Sequence, residues 1–424
     1  MSNNTLTAIF LIGSGIGMLD FYNFNQLKMR HKLNLIAIVN KDIVSNFPIK
    51  QKDYFDQIYP VASNKVASLS HLDFSAVEDV VKQELIKITD PSKIRIFPFN
   101  EYNILLAAQL REKFEIPGAS SDLLKPFRDK VVMKNILNGN NIRTPKFISL
   151  DMKNIKINTE DYFKNLSECL GLPFILKPID GAGSLGVKKI CSLHDFIMYK
   201  NELLPMVSGY EAEEFLDGEL YHCDIVFRNQ NPILPLCGIH NRPLLEFKNG
   251  QNVGSIPLAD GHPLKESLIQ FTQTAMKNFN LPDGIIHSEI FYLPKADEFV
   301  FLEAAARAPG ALIVPMYEQS FGCNILDIDF LIQINSTQIV ELRPDSYCFW
   351  IIFPPIAGKI KKLHQPKINS EYELEWFVNK GDVLKPPVSL RDRVGRIFVW
   401  NHDYDALAKD FECISNHKFL ETEL

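Results

Sequence analysis

Over the first 117 residues, short apolar runs alternate with stretches of helical periodicity. "TAIFLIG", "LNLIAIVN" and "KIRIFPFN" are β-rich runs, whereas "EDVVKQELIKIT" and "EYNILLAAQLREKF" carry the spacing of amphipathic helices. That alternation predicts a parallel sheet with helices on its faces. "IPGASS" breaks the pattern. "DLLKPFRDKVVMKNILNGNNIRTPKF" then reads as a helix ending near Gly139, with Pro145 opening the next strand. From about residue 170 the pattern turns to strand-rich hairpins with a few helices, "PLKESLIQFTQTAMKNF" being the clearest. After about residue 336 a further β-rich segment follows, with "FWIIFPPIAGKIKKL" and "GRIFVWN". No internal repeat or low-complexity tract is visible.

A chain of 424 residues is too long for one ordinary core, since domains hold roughly 100–200 residues. The apolar fraction of 46% and charged fraction of 23% are those of a globular protein. A net charge of −6 leaves no basic footprint for nucleic acid or an anionic membrane surface. The 7 cysteines are scattered, odd in number and lack any C-x-x-C spacing. This favours a reducing, cytoplasmic setting over a disulfide framework or a zinc site. The N-terminal "MSNNTLTAIFLIGSGIGML" has no basic leader and its apolar run is broken by glycines, so it reads as a buried strand and loop. No stretch is long and apolar enough to span a bilayer.

The stretch "GIIHSEIFYLPKADEFVFLEAAAR" (residues 285–307, after Gly284) is the most informative. Two apolar runs flank a turn, and each holds one glutamate. Pairing the strands about Ala296 sets Glu289 opposite Glu303, His287 opposite Ala305 and Phe291 opposite Phe301. Opposed carboxylates in a half-buried hairpin repel unless they share a proton or hold a cation. Two converging carboxylates suit Mg²⁺, which takes one or two protein carboxylates and completes its shell with phosphate oxygens. Arg307 lies just beyond on the same face. The alternative is a solvated hairpin face.

"PFILKPIDGAGSLGVKKI" (173–190) delivers Lys177 on a strand, then a loop with Gly181, Gly183, Ser184 and Gly186. Glycines let backbone N–H groups approach phosphate oxygens, and a lysine supplies countercharge. The loop joins two strands, so it is neither a Walker A loop nor a dinucleotide fingerprint. In "RDKVVMK", Lys130 sits on a helix that faces either this cleft or solvent. In "YEAEEFLDGELYHCDIVF" (210–227), Glu213, Glu214, Phe215 and Leu216 precede a turn. Tyr221, Cys223, Ile225 and Phe227 then share one face as core, while His222 and Asp224 share the other, as a ligand pair or a hydrogen-bonded surface pair. "GSGIG" (13–17) has Met18 where a dinucleotide fingerprint needs its last glycine, and reads as a strand-to-helix turn of a Rossmann-like sheet. "NEYN" places Glu101 at a strand end, where open sheets form ligand crevices. His240 and Arg242 are candidates to bind an anionic substrate.

Taken in order, "RDK", "FILKPIDGAGSLGV", "EEFLDGELYHCD", "GIIHSEIF" and "FLEAAARAPG" resemble the ATP-grasp superfamily, and within it the biotin-carboxylase-like carboxylate–amine (L-amino acid) ligases. The resemblance implies a mixed α/β and α+β architecture of four units. These are a Rossmann-like pre-ATP-grasp domain (1–117), a small ATP-grasp subdomain with the glycine loop (118–200), a large subdomain with the metal site (201–335) and a β-rich C-terminal domain (336–424). It further implies ATP and Mg²⁺ or Mn²⁺ as cofactors, small carboxylate and amine substrates, and a homodimer. Lys130 and Lys177 would contact phosphates, and the loop carrying Gly183, Ser184 and Gly186 would close over them. The backbone at Glu213, Glu214, Phe215 and Leu216 would read adenine, with Glu213 or Glu214 near its amine. Glu219 or His222 would lie near the ribose. Glu289 and Glu303 would hold the metal, and Arg307 would stabilise the reacting group. Where many relatives carry asparagine after the second metal glutamate, this chain has Ala305, and where many carry a ribose-binding glutamate it has Leu220. The implied reaction activates a carboxylate as an acyl-phosphate and joins it to an amine. A bicarbonate-using carboxylase and a non-catalytic ATP-binding protein are the alternatives, and a nicotinamide oxidoreductase rests on "GSGIG" alone.

Overall fold

The structure is a computed structural model that describes residues 5–423 apart from 46, 48, 67–68, 152–154, 156, 201–208 and 337–345. At the N-terminus, strands Leu6–Ile12, Leu33–Asn40, Gln57–Val61 and Ile94–Pro98 form a parallel sheet with Leu6–Ile12 inside it. Their continuous Ile, Val, Leu and Phe content follows from burial on both faces. Helices Phe74–Ile88 and Ile104–Lys113 match the predicted periodic stretches.

"GSGIG" does open a turn, into a short 3-10 helix, Ile16–Phe21. The amide groups of Gly13 and Ser14 donate to Asn100 Oδ1 at 2.9 and 3.0 Å. The donors a dinucleotide phosphate would need are therefore spent on Asn100, which removes the structural basis of the nicotinamide reading.

The helix predicted before Gly139 is broken. Ser121–Leu124 and a 3-10 turn, Lys125–Phe127, precede the helix proper, Lys130–Asn138. Pro126 lacks the N–H a continuous helix needs, and Asp129 restarts the helix by accepting from Val131 N and Val132 N at 3.0 Å. That restart puts Lys130 in the first turn and Lys134 one turn on.

Two antiparallel sheets build the rest. The smaller contains, in order, Phe147–Ser149, Tyr210–Glu214, Phe174–Pro178 and Lys188–Ile190. The larger runs Glu298–Ala305, Gly284–Leu293, Glu219–Arg228, Asn231–His240, Val253–Pro257, Tyr347–Phe353, Gly395–Asn401 and Glu371–Trp376. The chain crosses from one sheet to the other at residues 215–218, between consecutive strands. Strands from both sides of the expected 335/336 boundary share the larger sheet, Ser255 pairing with Trp350. Most of the C-terminal β segment thus extends the central sheet, with a separate three-stranded sheet at its end. Among the described residues no helix is long and apolar enough to cross a membrane.

Candidate active site

A cavity of about 920 Å³ opens where the N-terminal sheet edge, the small sheet and the large sheet meet. Its volume falls at the upper end of ligand pockets, roughly 300–1,000 Å³. Lys130, Lys177, Gly183, Ser184, Glu213, Glu214, Phe215, Leu216, Glu289, Glu303 and Arg307 all line it, so five separate sequence stretches converge. Gly186 does not, although the loop residues on either side, Leu185 and Val187, do.

The hairpin has the predicted heart and a different flank. Glu289 pairs with Glu303 and His287 with Ala305. Past Glu289 the register shifts, so Phe291 faces Val300 and Phe301 faces Ile290. The predicted Phe291–Phe301 pair does not form, because Leu302 is an extra residue. A bulge of this kind bends its strand and re-aims the side chain beside it, here Glu303. Both glutamates are half-buried and open to the cavity. His287 stands two residues before Glu289 on the same face, its Nε2 3.7 Å from Glu289 Oε1. The small Ala305 opposite leaves room for that imidazole.

Arg307 is held by Glu101. Its Nε and Nη2 lie 2.8 and 2.6 Å from Glu101 Oε2. The other oxygen, Oε1, binds Arg128, whose Nη2 also donates to the Asp180 carbonyl at 2.7 Å. Burial pushes the Glu101 carboxyl up, but Arg307 and Arg128 outweigh it and hold it down at about 2. A single buried carboxylate therefore fixes two guanidiniums at the cavity wall.

On the small sheet, Lys134 Nζ lies 2.8 Å from Glu211 and 2.6 Å from Glu213, and Lys177 Nζ lies 2.8 Å from Glu213. All four are buried, with Lys134 and Glu211 fully so. Burial pulls Lys177 down, yet the two carboxylates keep it well above its ordinary value. Glu213 is correspondingly held ionised by the lysines. Its side chain is thus engaged below the crossover, and Glu214 turns the other way to pair with Arg143. Sequence reasoning missed Lys134 and Glu211. The available signal was spacing: Lys134 is one helical turn after Lys130, and Glu211 two strand positions before Glu213.

The glycine loop is clamped from two sides. Lys130 Nζ donates to the Gly181 carbonyl at 2.7 Å and lies 3.4 Å from Glu303 Oε2. Lys248, from the 3-10 turn Leu244–Asn249, donates to the Ser184 carbonyl at 2.5 Å and to Val187 at 3.1 Å. Burial and neighbouring Lys188 lower the Lys248 ammonium to about 8. Gly183 and Gly186 have φ of 63° and 74°, and a Cβ on Gly186 would fall 2.9 Å from the Pro178 ring.

Two expected residues lie elsewhere. Glu219 is exposed, bonded to the Tyr221 hydroxyl and off the cavity wall. His222 is fully buried, its Nδ1 on Asp224 at 2.8 Å and its Nε2 on Ser255 Oγ at 2.7 Å. The helix Ile313–Phe321 covers it, bringing the Tyr317 hydroxyl 2.7 Å from Asp224. A side chain on Gly238 would collide with the His222 ring at 2.5 Å, so glycine is needed there. Neither Glu219 nor His222 reaches a ligand in this cavity, and His222–Asp224 is a buried pair, not a surface one. Asp224 instead bonds His287 Nδ1 at 2.6 Å. Burial would lower His287, but Asp224 holds it charged, at about 9. Burial raises Glu289, but His287 brings it down to about 2.

His240 lines the cavity with Nδ1 on the Gly254 carbonyl at 3.0 Å and a buried Nε2 that has no partner. Burial and His222 lower it to about 3, so it is a neutral acceptor and not an anion-attracting cation. Arg242 is directed away, onto Gln251, Ser415 and Asn416.

No protein-family model matches the chain. The chain is 24% identical over 339 residues, 76% of its length and 80% of the relative's, to an L-arginine-specific L-amino acid ligase of Bacillus subtilis. It superposes on an L-amino acid ligase from Bacillus licheniformis with a TM-score of 0.72, 17% identity and 99% of both chains covered. A carboxyaminoimidazole ribonucleotide synthase from Aspergillus clavatus, solved with ATP, superposes with a TM-score of 0.66 at 13% identity, covering 98% of both chains. The chain has the ATP-grasp fold. Its cavity fits the nucleotide and divalent ion such proteins take. Among the described residues no cluster of three or more acidic, histidine or cysteine side chains offers a self-sufficient metal cage. Two half-buried carboxylates across a ladder instead suit an ion whose other ligands come from phosphate.

Proposed function

We propose that the protein is an ATP-dependent ligase that activates the carboxylate of one amino acid and joins it to the amine of another, releasing ADP and phosphate. The observation that carries this reading is the meeting, in one cavity, of opposed Glu289 and Glu303, Lys130 at 3.4 Å from Glu303, and Arg307 fixed by Glu101. The kinship with amino acid ligases supports it.

In this reading Glu289 and Glu303 hold Mg²⁺ or Mn²⁺, which, when bound, draws charge from the phosphate oxygens. Lys130, Lys177 and the glycine loop hold the phosphates, and Lys248 keeps the loop down so that water is excluded from a hydrolysable acyl-phosphate. The residues at the crossover, Phe215 and Leu216 with Leu220 and Leu302, form the apolar slot for the adenine ring. A substrate carboxylate oxygen attacks the terminal phosphorus and the bond to ADP breaks. The amine nitrogen then attacks the acyl carbon, and phosphate leaves with the electrons of the C–O bond. Arg307 stabilises negative charge in both steps. The amine sheds a proton as the C–N bond forms, and the bare Nε2 of His240 is an unprotonated acceptor facing this cavity. His287, charged and tied to Asp224, orients Glu289 in the place of an asparagine ligand at position 305. We take the enzyme to be cytoplasmic, as seven unbridged cysteines suit.

The test is ADP release from ATP and Mg²⁺ with L-amino acids supplied singly and in pairs. Release that requires an amino acid pair supports the ligase. Release driven by bicarbonate without an amine would select the carboxylase, and tight ATP binding without release the non-catalytic alternative.

A further inference from the structure

The same cavity holds a second set of cations that the chemistry above does not use. Arg391, Arg393 and Arg396, from the turn Leu390–Asp392 and the start of strand Gly395–Asn401, line it together with Phe377 and Tyr102. Arg391 Nη2 donates to the Tyr102 hydroxyl at 3.0 Å, and its guanidinium carbon lies 5.6 Å from that ring's centre. Tyr102 follows Glu101, the residue that fixes Arg307, so this arginine set borders the reacting end. Arg393 and Arg396 lie 5.7 and 6.0 Å from the centre of the Phe377 ring.

The nearby carboxylates do not balance these charges. Arg396 is paired with Glu375 at 2.5 Å. Asp392 is spent on its own turn, accepting from Val388 N and Ser389 N at 2.8 Å. Glu101 is already shared between Arg128 and Arg307. Among the described residues, Arg391 and Arg393 have no acidic partner, though Arg393 is half-buried and burial lowers its guanidinium. A desolvated, uncompensated cation is unfavourable until an anion arrives, and a guanidinium matches a carboxylate with two parallel hydrogen bonds.

Two amino acids bring two carboxylates. The donor's is consumed at the phosphate and Arg307, whereas the acceptor's survives and must be placed so that its amine faces the acyl carbon. We propose that Arg391 and Arg393 form a subsite for the carboxylate of the amine-donating substrate, which is therefore an amino acid or short peptide with a free carboxylate and not a simple amine. This rests on the ligase reading.

The experiment separates the two ideas. Wild-type enzyme with ATP, Mg²⁺, hydroxylamine and each of the standard L-amino acids reports donor activation as hydroxamate, with a nucleophile that carries no carboxylate. With the best donor, ADP release is then followed with L-amino acid acceptors and with the same acceptors as carboxamides. The carboxamides are expected to raise acceptor KM about tenfold or more, as loss of a charged, bidentate contact should. The double variant Arg391→Ala/Arg393→Ala should raise KM for the free acid by about the same factor, abolish discrimination against the carboxamide, and leave hydroxamate kcat and KM for ATP within about twofold. The lysine pair, Arg391→Lys/Arg393→Lys, should recover part of the discrimination and stands in if the alanine pair does not fold. Equal use of acid and carboxamide by wild type overturns the subsite, as does an unchanged acceptor KM or an equal loss of hydroxamate formation in the variants. Absence of hydroxamate with every donor overturns the ligase reading, and the subsite falls with it.

Discussion

Two pairs of glutamates stand in this protein, and they are treated differently. Glu211 and Glu213 lie on one strand, sealed from water, and are met by two ammonium groups, Lys134 and Lys177, at hydrogen-bonding distance. Glu289 and Glu303 lie across two strands, half-buried and facing a cavity, with Lys130 at 3.4 Å and His287 at 3.7 Å as their nearest cations. The first pair is a finished ionic cluster. The second is kept ionised yet short of close positive partners, and the missing charge is what a divalent ion bound to phosphate would supply. Buried carboxylates alone therefore do not mark a site; incomplete neutralisation beside a cavity does.

Substitutions should separate the two pairs. The largest effect is expected for Glu303→Gln, which keeps the shape and removes the charge. ATP-dependent turnover should fall by about 10³-fold or more with the melting temperature almost unchanged, as read by ADP release beside thermal denaturation. Lys134→Ala should do the converse, destabilising the fold by about 3–5 kcal/mol because it strands Glu211 and Glu213 in the interior. Denaturant titration checks this. Glu101→Gln should weaken both guanidinium contacts and lower kcat by about 10–100-fold, while KM for ATP moves little. A smaller effect is expected for Lys248→Ala, which frees one side of the glycine loop: KM for ATP should rise severalfold, with faster amide exchange at residues 181–187.

Acid and base should also divide the protein. His287 is raised above its ordinary value to about 9, so its stabilising contribution is complete below about 6.5 and is lost as pH rises through 9. Glu101 and Glu289 are depressed to about 2, so theirs is present above about 4.5 and lost as pH falls toward 2. Stability measured against pH should therefore decline on both sides, and His287→Gln should flatten the alkaline limb.

Much of this architecture was legible from period and punctuation. Alternation gave the parallel sheet, and symmetric pairing about the turn set Glu289 against Glu303. The pattern failed at Leu302, because a bulge leaves no mark in an apolar run. It placed His222 and Asp224 on one face correctly, but could not say that Tyr317, far along the chain, roofs that face and closes it to ligand. Glu101 was readable as a crevice residue; its grip on Arg307, 206 positions away, was not. Pro126 was visible in the sequence, yet its power to restart the helix at Asp129 depended on the cap that follows.

Binding of Mn²⁺·ATP, followed through the paramagnetic relaxation of solvent water, tests the central claim most directly. Wild type should bind the complex and enhance relaxation, and Glu289→Gln/Glu303→Gln, folded to the same melting temperature, should lose at least tenfold in affinity for the metal–nucleotide complex. Equal affinity and equal relaxation enhancement in both proteins would contradict it.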